Sequence, residues 1–325
     1  MNKLVFDIGA TNIKFAVMTP EGDIVKRCST PTPHDTLEHY LEALCALAEP
    51  EKAGVDGVAV STNGRMYPDG DTYRAYTSDF LIGVNLREAL ESRLHLPVAV
   101  ENDGLAAALG EWWKGAGRGT KNMLGVVLGS GMGSGLILDG KPYRGSKRNA
   151  AMAFGLLSVA EPEKENYLAS GISTAFPLVL YKVAAAKGLD PRTVTGPQVF
   201  EWAEAGDPVA AALLEQYYRS VAIPIFNSAL LLDLDCVVLT GGLAAQKSLI
   251  EGVQRNLRSI AARALTVEGI DISALGITID YQDFDVRLRA GELNLDANLY
   301  GALYHLQTGC KNYHCKRQGN VLCCS

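Results

Sequence analysis

Asp7, Gly9, Thr11, Asn12 and Lys14 fall within eight residues, in the stretch VFDIGATNIKFAV (Val5–Val17). A glycine bend between two apolar strands presents backbone N–H groups with no side chain in the way, and such nests bind anions, phosphate above all. Thr11 adds a hydroxyl donor. Asp7 repels phosphate, so it fits that chemistry only with a cation between them, which makes it a Mg²⁺ partner through water. Taken alone, the stretch is equally an ordinary hairpin with a capped turn. A second glycine hairpin, Gly129-Ser130-Gly131-Met132-Gly133-Ser134-Gly135, alters that balance. Four glycines in seven residues weaken a strand pair, and they make sense where something approaches the backbone closely. Two such nests suit a polyphosphate. A carboxylate at a third place completes the set. Asp103, in Glu101-Asn102-Asp103-Gly104, sits at a strand-to-helix corner, exposed yet held. There it can orient and deprotonate an attacking hydroxyl, or simply cap the helix that follows.

These groups need a scaffold, and the apolar pattern predicts an α/β chain. Val5–Met18 and Asp23–Arg27 read as three short strands, Leu37–Leu47 as a helix, Val55–Ser61 as a buried strand, and Leu86–Leu94 as a helix. Pro97–Val100 is a strand running into the corner at Asp103, which would cap a helix over Leu105–Trp113. The run Gly115–Lys121 reads as a linker, which splits the chain into an N-terminal lobe, 1–118, and a C-terminal lobe, 119–294. Met123–Gly145 then repeats the opening theme of strand, glycine hairpin, strand and turn, as a duplication would. Gly206–Leu232 is the longest helical pattern, and the strand Cys236–Thr240 stops at Gly241-Gly242. Leu295–Leu306 reads as a helix returning to the first lobe (295–307), and 308–325 as a disordered, cysteine-rich tail.

Bulk properties narrow the function. The chain has 325 residues, a net charge of −6 and no run of about 18 apolar residues. The acidic balance argues against nucleic acid. A membrane span is not expected, and the cytoplasm is the expected compartment. A patterned strand begins at Leu4, so a DNA-binding helix-turn-helix ahead of it is not expected either. Three of the seven cysteines are scattered and four crowd the end (Cys310, Cys315, Cys323, Cys324), which is no disulfide framework. Cys310, His314, Cys315 and Cys323 lack a C-x-x-C knuckle, so no zinc site is expected there.

The order D-x-G-x-T-x-x-K, E-N-D, L-G-x-G-x-G-x-G, T-G-G, followed by LDANLYGALYHL, resembles the bacterial ROK family of sugar kinases over roughly Leu4 to Leu306. The resemblance implies the two-lobed actin-like ATPase (ribonuclease H-like) fold, with a nucleotide and sugar cleft between the lobes. It implies ATP and Mg²⁺ as cofactors and phosphorylation of a primary hydroxyl, the 6-OH, of a hexose or substituted hexose. Asp7, Gly9, Thr11 and Asn12 would form one phosphate site, and Gly129, Ser130, Gly131 and Gly133 the other. Gly241 and Gly242 would lie beside the adenosine. Asn63 and Asn102 would bind the sugar with Asp103, which would also be the base; Asn149, beside Lys147 and Arg148, either adds a polar contact to the sugar or belongs to a solvated basic loop. The partners implied are the sugar and ATP, with a homodimer allowed.

The chain departs from the family at the sugar. The family's A-G-E-x-G-H segment reads AMAFGLL here, which puts Ala153 at the glutamate position and Leu156 at the histidine position. No cysteine lies between Cys45 and Cys236, so the family's zinc motif is absent. The Arg144-Gly145…Phe154-Gly155 segment looks most like the zinc-less beta-glucoside kinases. A more apolar sugar pocket fits a bulkier or substituted sugar. It also fits the alternative, a non-catalytic sugar-sensing pseudokinase on the same fold.

Overall fold

The computed structural model describes residues 1–66, 73–74, 79–129, 131–146, 150, 153–161, 166–263, 276 and 286–309. The chain forms two compact units. One comprises Met1–Gly115, Pro142–Ala150 and the chain from Asp296; the other comprises Ala116–Lys141 and Ala151–Leu295.

In the first unit, strands β1 (Asn2–Ile8), β2 (Asn12–Met18), β3 (Ile24–Pro31), β4 (Val55–Thr62) and β7 (Val98–Asn102) form a sheet in the order β3-β2-β1-β4-β7. β1 is antiparallel to β2 and parallel to β4, which is parallel to β7. Side chains alternate across a strand, and β1 uses both faces. Leu4, Phe6 and Ile8 pack with Leu41 and Leu44 of α1 (Leu37–Ala48) and Leu90 of α2 (Leu86–Leu94). Val5 packs on the opposite face with Leu299 and Leu303 of α9 (Ala297–Gly309). This two-sided burial explains the consecutive apolar residues Leu4-Val5-Phe6. A short ribbon, β5 (Arg65–Met66) with β6 (Tyr73–Arg74), follows β4.

Helix α3 (Asp103–Trp113) lies against α9 through small residues. A Cβ on Gly110 would fall 2.0 Å from the Ala297 carbonyl oxygen, and one on Gly301 would fall 1.6 Å from that of Ala106. Trp112 and Trp113 pack edge-on or tilted against Tyr304, and Trp113 also meets Tyr300.

The second unit repeats the plan. β8 (Met123–Leu128), β9 (Met132–Leu138), β10 (Lys141–Tyr143), β13 (Cys236–Thr240) and β14 (Leu288–Ala290) form a sheet in the order β10-β9-β8-β13-β14. β8 is antiparallel to β9 and parallel to β13, so both hairpins occupy the same place in the same topology. A ribbon of β11 (Leu157–Glu161) and β12 (Asn166–Ala169) leads into α4 (Ser170–Ser173) and α5 (Phe176–Lys187). α6 (Gly196–Glu204), α7 (Pro208–Leu232) and α8 (Lys247–Arg263) complete the unit. Its core joins Leu124, Val126 and Leu128 to Val221, Ile225 and Val253.

The sequence expectations differ from the structure in several places. β3 runs on to Pro31 because it continues to pair with β2, Asn12 standing opposite Pro31. The cap of α3 is Asn102: its side-chain oxygen accepts from Leu105 N at 3.1 Å, and Asp103 is already helical. α7 starts at Pro208 because Asp207 caps it, accepting from Val209 N and Ala210 N. Thr308 and Gly309 complete α9; the cysteine-rich 310–325 lies outside the described residues. Arg144, Gly145 and Ala150, assigned from sequence to the second lobe, belong with the first unit, where Glu101 anchors Arg144. Among the described residues, no helix is long and apolar enough to cross a membrane.

Candidate functional site

The first glycine turn is closed by Gly9 N donating to Asn12 O at 3.0 Å. Its carbonyls are taken up by the segment after β3. Thr32 Oγ1 donates to Gly9 O (2.8 Å), Thr32 N to Thr11 O (3.0 Å), and His34 Nε2 lies 2.6 Å from Ala10 O. Ala10, Thr11 and Asn12 are exposed. With its carbonyls engaged, the turn keeps the N–H groups of Ala10 and Thr11 and the Thr11 hydroxyl as donors for an anion.

Asp7 stands at the end of β1, 8% exposed. The antiparallel register sets it opposite Lys14, whose Nζ lies 3.0 Å from Asp7 Oδ2. Asn298 of α9 donates through Nδ2 to Asp7 Oδ1 (3.0 Å) and to Ser61 Oγ (3.1 Å). Burial pushes the Asp7 carboxyl above its usual range, against the pull of Lys14 and the bond from Asn298. The cation beside Asp7 within the chain is therefore Lys14. Each Asp7 oxygen keeps a second lone pair, so contact with Mg²⁺ through water is chemically compatible with these bonds. Among the described residues there is no group of three or more His, Cys, Asp or Glu that could hold a metal by itself. Mg²⁺ here would take phosphate oxygens and waters as its remaining ligands.

The corner between β7 and α3 carries Asn102 and Asp103. Asn102 Nδ2 donates to Gly64 O (2.7 Å) and to Asp103 Oδ1 (3.0 Å), which also accepts from Gly104 N (2.8 Å). The turn after β4, with Gly64 at φ 110°, is thus tied to the corner through the Gly64 carbonyl. The bonds from Asn102 Nδ2 and Gly104 N both fall on Asp103 Oδ1, so Oδ2 takes neither. Desolvation, with the nearby Asp7 charge adding to it, raises the Asp103 carboxyl to about 6, although the bonds from Gly104 and Asn102 oppose the shift. A carboxylate with one oxygen fixed and the other open, titrating near neutrality, is suited to accept a proton. The Asn102 amide is committed to these internal bonds except for one lone pair on Oδ1, which limits what it can offer a sugar.

In the second unit, Gly129 N donates to Gly131 O at 3.1 Å across the hairpin, and Gly133 pairs with Val127. Nothing lies within 4 Å of a Cβ built on Gly129 or Gly131, and neither needs a left-handed φ. The fold does not require glycine at either place. Gly241 is the opposite case: its φ is 93°, and its Cβ would lie 2.6 Å from Leu128 O. That contact puts Gly241-Gly242 beside the end of β8, at the base of the second hairpin. Ala153 is buried, donating its N–H to Ser134 Oγ at 3.0 Å, while Leu156 is 39% exposed. Ser130 and Asn149 lie outside the described residues.

The structure brings Asp7, Gly9, Thr11, Asn12, Asn63, Asn102 and Asp103 into the first unit, and Gly129, Gly131, Gly133, Gly241 and Gly242 into the second. Sequence reasoning gave no role to Lys14, Glu101, Arg144, Asn298 or His305. Lys14 was accessible to it, since a turn at residues 9–11 fixes the register that sets Lys14 across from Asp7. Asn298 and His305 are seven apart on one helix and so share a face, but what that face meets is a tertiary contact.

The ROK family model matches residues 4–157 and 169–277. The chain is similar to a beta-glucoside kinase of Listeria innocua, 27% identical over 276 residues, covering 82% of this chain and 92% of that one. It is 30% identical over 289 residues to an N-acetyl-D-glucosamine kinase of Salmonella newport, covering 81% and 92%. Among solved structures, it superposes on a ROK family glucokinase from Streptomyces griseus, in complex with glucose and AMPPNP, with a TM-score of 0.76, 25% identity, and coverage of 94% and 98%. The duplicated sheet, the two glycine hairpins and the Asn102–Asp103 corner thus occur in a chain that matches this family along most of its length: the protein belongs to the ROK family and has its actin-like ATPase fold.

Proposed function

We propose that this protein is an ATP-dependent carbohydrate kinase that phosphorylates a primary hydroxyl, the 6-OH, of a hexose or substituted hexose. The observation that carries the reading is Asp103, with an open oxygen and a carboxyl raised to about 6. Phosphoryl transfer needs mainly positioning and charge neutralisation, with a carboxylate to orient the nucleophile. Asp103 Oδ2 would accept the proton of the attacking hydroxyl, while Gly104 N and Asn102 Nδ2 hold Oδ1. Asn63 and the remaining Oδ1 lone pair of Asn102 would orient the sugar. The donors at Gly9–Asn12 would bind phosphate oxygens, with Lys14 as a fixed positive charge beside Asp7. Gly129, Gly131 and Gly133 would bind phosphate by backbone, with Gly241 and Gly242 along the adenosine. When bound, Mg²⁺ would neutralise phosphate charge, held through water by Asp7. The relatives' named activities, on beta-glucosides, N-acetylglucosamine and glucose, support a hexose substrate. Leu156, exposed and apolar, supports a substituent on it.

A panel of free, N-acetylated and glycosylated hexoses, assayed for ADP release, tests this reading. Turnover is expected with at least one sugar, better with a substituted one than with glucose. Glucose outperforming every substituted hexose would overturn the substituted-sugar reading. ATP binding without turnover on any sugar would favour the sugar-sensing pseudokinase.

The phosphate role of the second hairpin has its own test. A methyl on Gly129 meets nothing, so Gly129→Ala should leave stability within about 0.5 kcal/mol of wild type. If phosphate approaches the backbone there, the methyl should raise KM for ATP by about tenfold or more, equivalent to ~1.4 kcal/mol. An unchanged KM for ATP in saturating sugar would remove Gly129 from the nucleotide site.

A further inference from the structure

The geometry points to Arg144 as a positioning residue that holds the Asn102–Asp103 corner through Glu101 and ties the loop after β10 to it. This inference rests on the reading of Asp103 as the base. Glu101 is 3% exposed at the end of β7, immediately before the corner. Its Oε2 accepts both Nε (3.0 Å) and a terminal nitrogen (2.5 Å) of Arg144, a two-pronged contact. Its Oε1 accepts from the backbone N of Asn102 at 3.0 Å. One carboxylate therefore joins the guanidinium to the peptide that aims Asn102 and Asp103.

The third member is His305 of α9, 4% exposed, with Nδ1 3.2 Å from the Arg144 terminal nitrogen and 3.7 Å from Glu101 Oε2. A guanidinium can only donate, so Nδ1 accepts and the ring proton sits on Nε2. The same arginine also organises its own loop. Arg144 O accepts from Ala150 N at 3.2 Å, and Gly145 takes φ 68° with its Cβ position 3.2 Å from Ala150 Cβ. Arg144 thus joins β7, α9 and the loop at a single point.

A buried ion pair seldom stabilises a fold beyond what an apolar pair would, so its presence calls for another reason. The planar fork fixes direction as well as charge, which a lysine cannot do. Orientation of the neighbouring Asn102–Asp103 peptide supplies that reason. With the fork lost, Asn102 should hold Asp103 Oδ1 less well, and a bond that now favours the ionised carboxylate should weaken.

The test compares Arg144→Lys with the double variant Glu101→Gln/Arg144→Met, which removes the pair without leaving a buried charge unpaired. In either variant that folds, kcat/KM for the best sugar should fall about 10–100-fold while KM for ATP stays within about twofold. The Asp103 carboxyl, followed by carbon-detected NMR titration of the whole protein, should move up from about 6. A purely structural role predicts lower thermal stability with sugar KM, kcat and the Asp103 titration unchanged, and that result overturns the proposal. Failure of the kinase reading would show as absent turnover in the wild type. The titration would then still decide the role of Arg144.

Discussion

Asp103→Asn should lower kcat by about 10²–10⁴-fold, the usual cost of removing a general base, and yet make the protein more stable. Both effects follow from the same desolvation. The wild-type carboxyl titrates at about 6 instead of 3.8, so at neutral pH the fold carries an ionised group it would rather protonate. The sign follows from proton binding. Between 3.8 and about 6 the folded state binds more protons than the unfolded chain, so stability falls as pH rises through that window, and the deficit is complete above it. A two-unit shift on a partly exposed group corresponds to about 1–3 kcal/mol. Asn keeps an oxygen for Gly104 N and Asn102 Nδ2 and carries no charge. Melting temperature at pH 8 should therefore rise by a few degrees in the variant, and the gain should vanish near pH 3.5. In the wild type, kcat/KM for the sugar should drop tenfold per pH unit below about 6 as Asp103 protonates. A variant with near-normal turnover would remove Asp103 from the chemistry, and one less stable than wild type at pH 8 would show that the carboxylate is needed by the fold.

What the sequence disclosed divides along a physical line. Local signals were legible: the β1–β2 bend at Gly9, the second hairpin at Gly129–Gly131, and the corner at Asp103, because each is set by turn chemistry or by the change from strand to helix period. The repeated strand order was legible too, since the second hairpin copies the first. The helix cap was misassigned to Asp103 because Asn and Asp are near-equal caps and adjacent here, and only the backbone shows which is extended. Arg144, Asn298 and His305 carried no local signal. Arg144 lies 43 residues from Glu101 and Asn298 lies 291 from Asp7, and such pairings arise only once the sheet and α9 have packed. Gly110 and Gly301 likewise read as ordinary helix glycines until the two backbones are seen in contact.

That contact carries the last prediction: Gly301→Ala should destabilise the protein by roughly 3–5 kcal/mol, beyond the usual range for a single added methyl. The new Cβ would fall 1.6 Å from Ala106 O and 2.4 Å from the same carbonyl carbon. Both atoms belong to helix backbone, so neither can swing away as a flexible side chain would. The helices must separate, and Gly110 against the Ala297 carbonyl leaves little room on the same seam. Intrinsic helix propensity works the other way, since Ala is favoured over Gly by about 1 kcal/mol in a helix, so a net loss isolates the packing effect. Gly54→Ala is the control, because nothing lies within 4 Å of its Cβ and its φ is ordinary. Melting should show a fall of about 10 °C for Gly301→Ala and little change for Gly54→Ala. The consequence reaches the site, since α9 holds Asp7 through Asn298 and meets Arg144 through His305. Moving α9 off α3 draws both contacts away, so the fraction that still folds should have reduced kcat as well. A Gly301→Ala protein as stable and as active as wild type would mean that α3 and α9 lie further apart than this backbone contact requires.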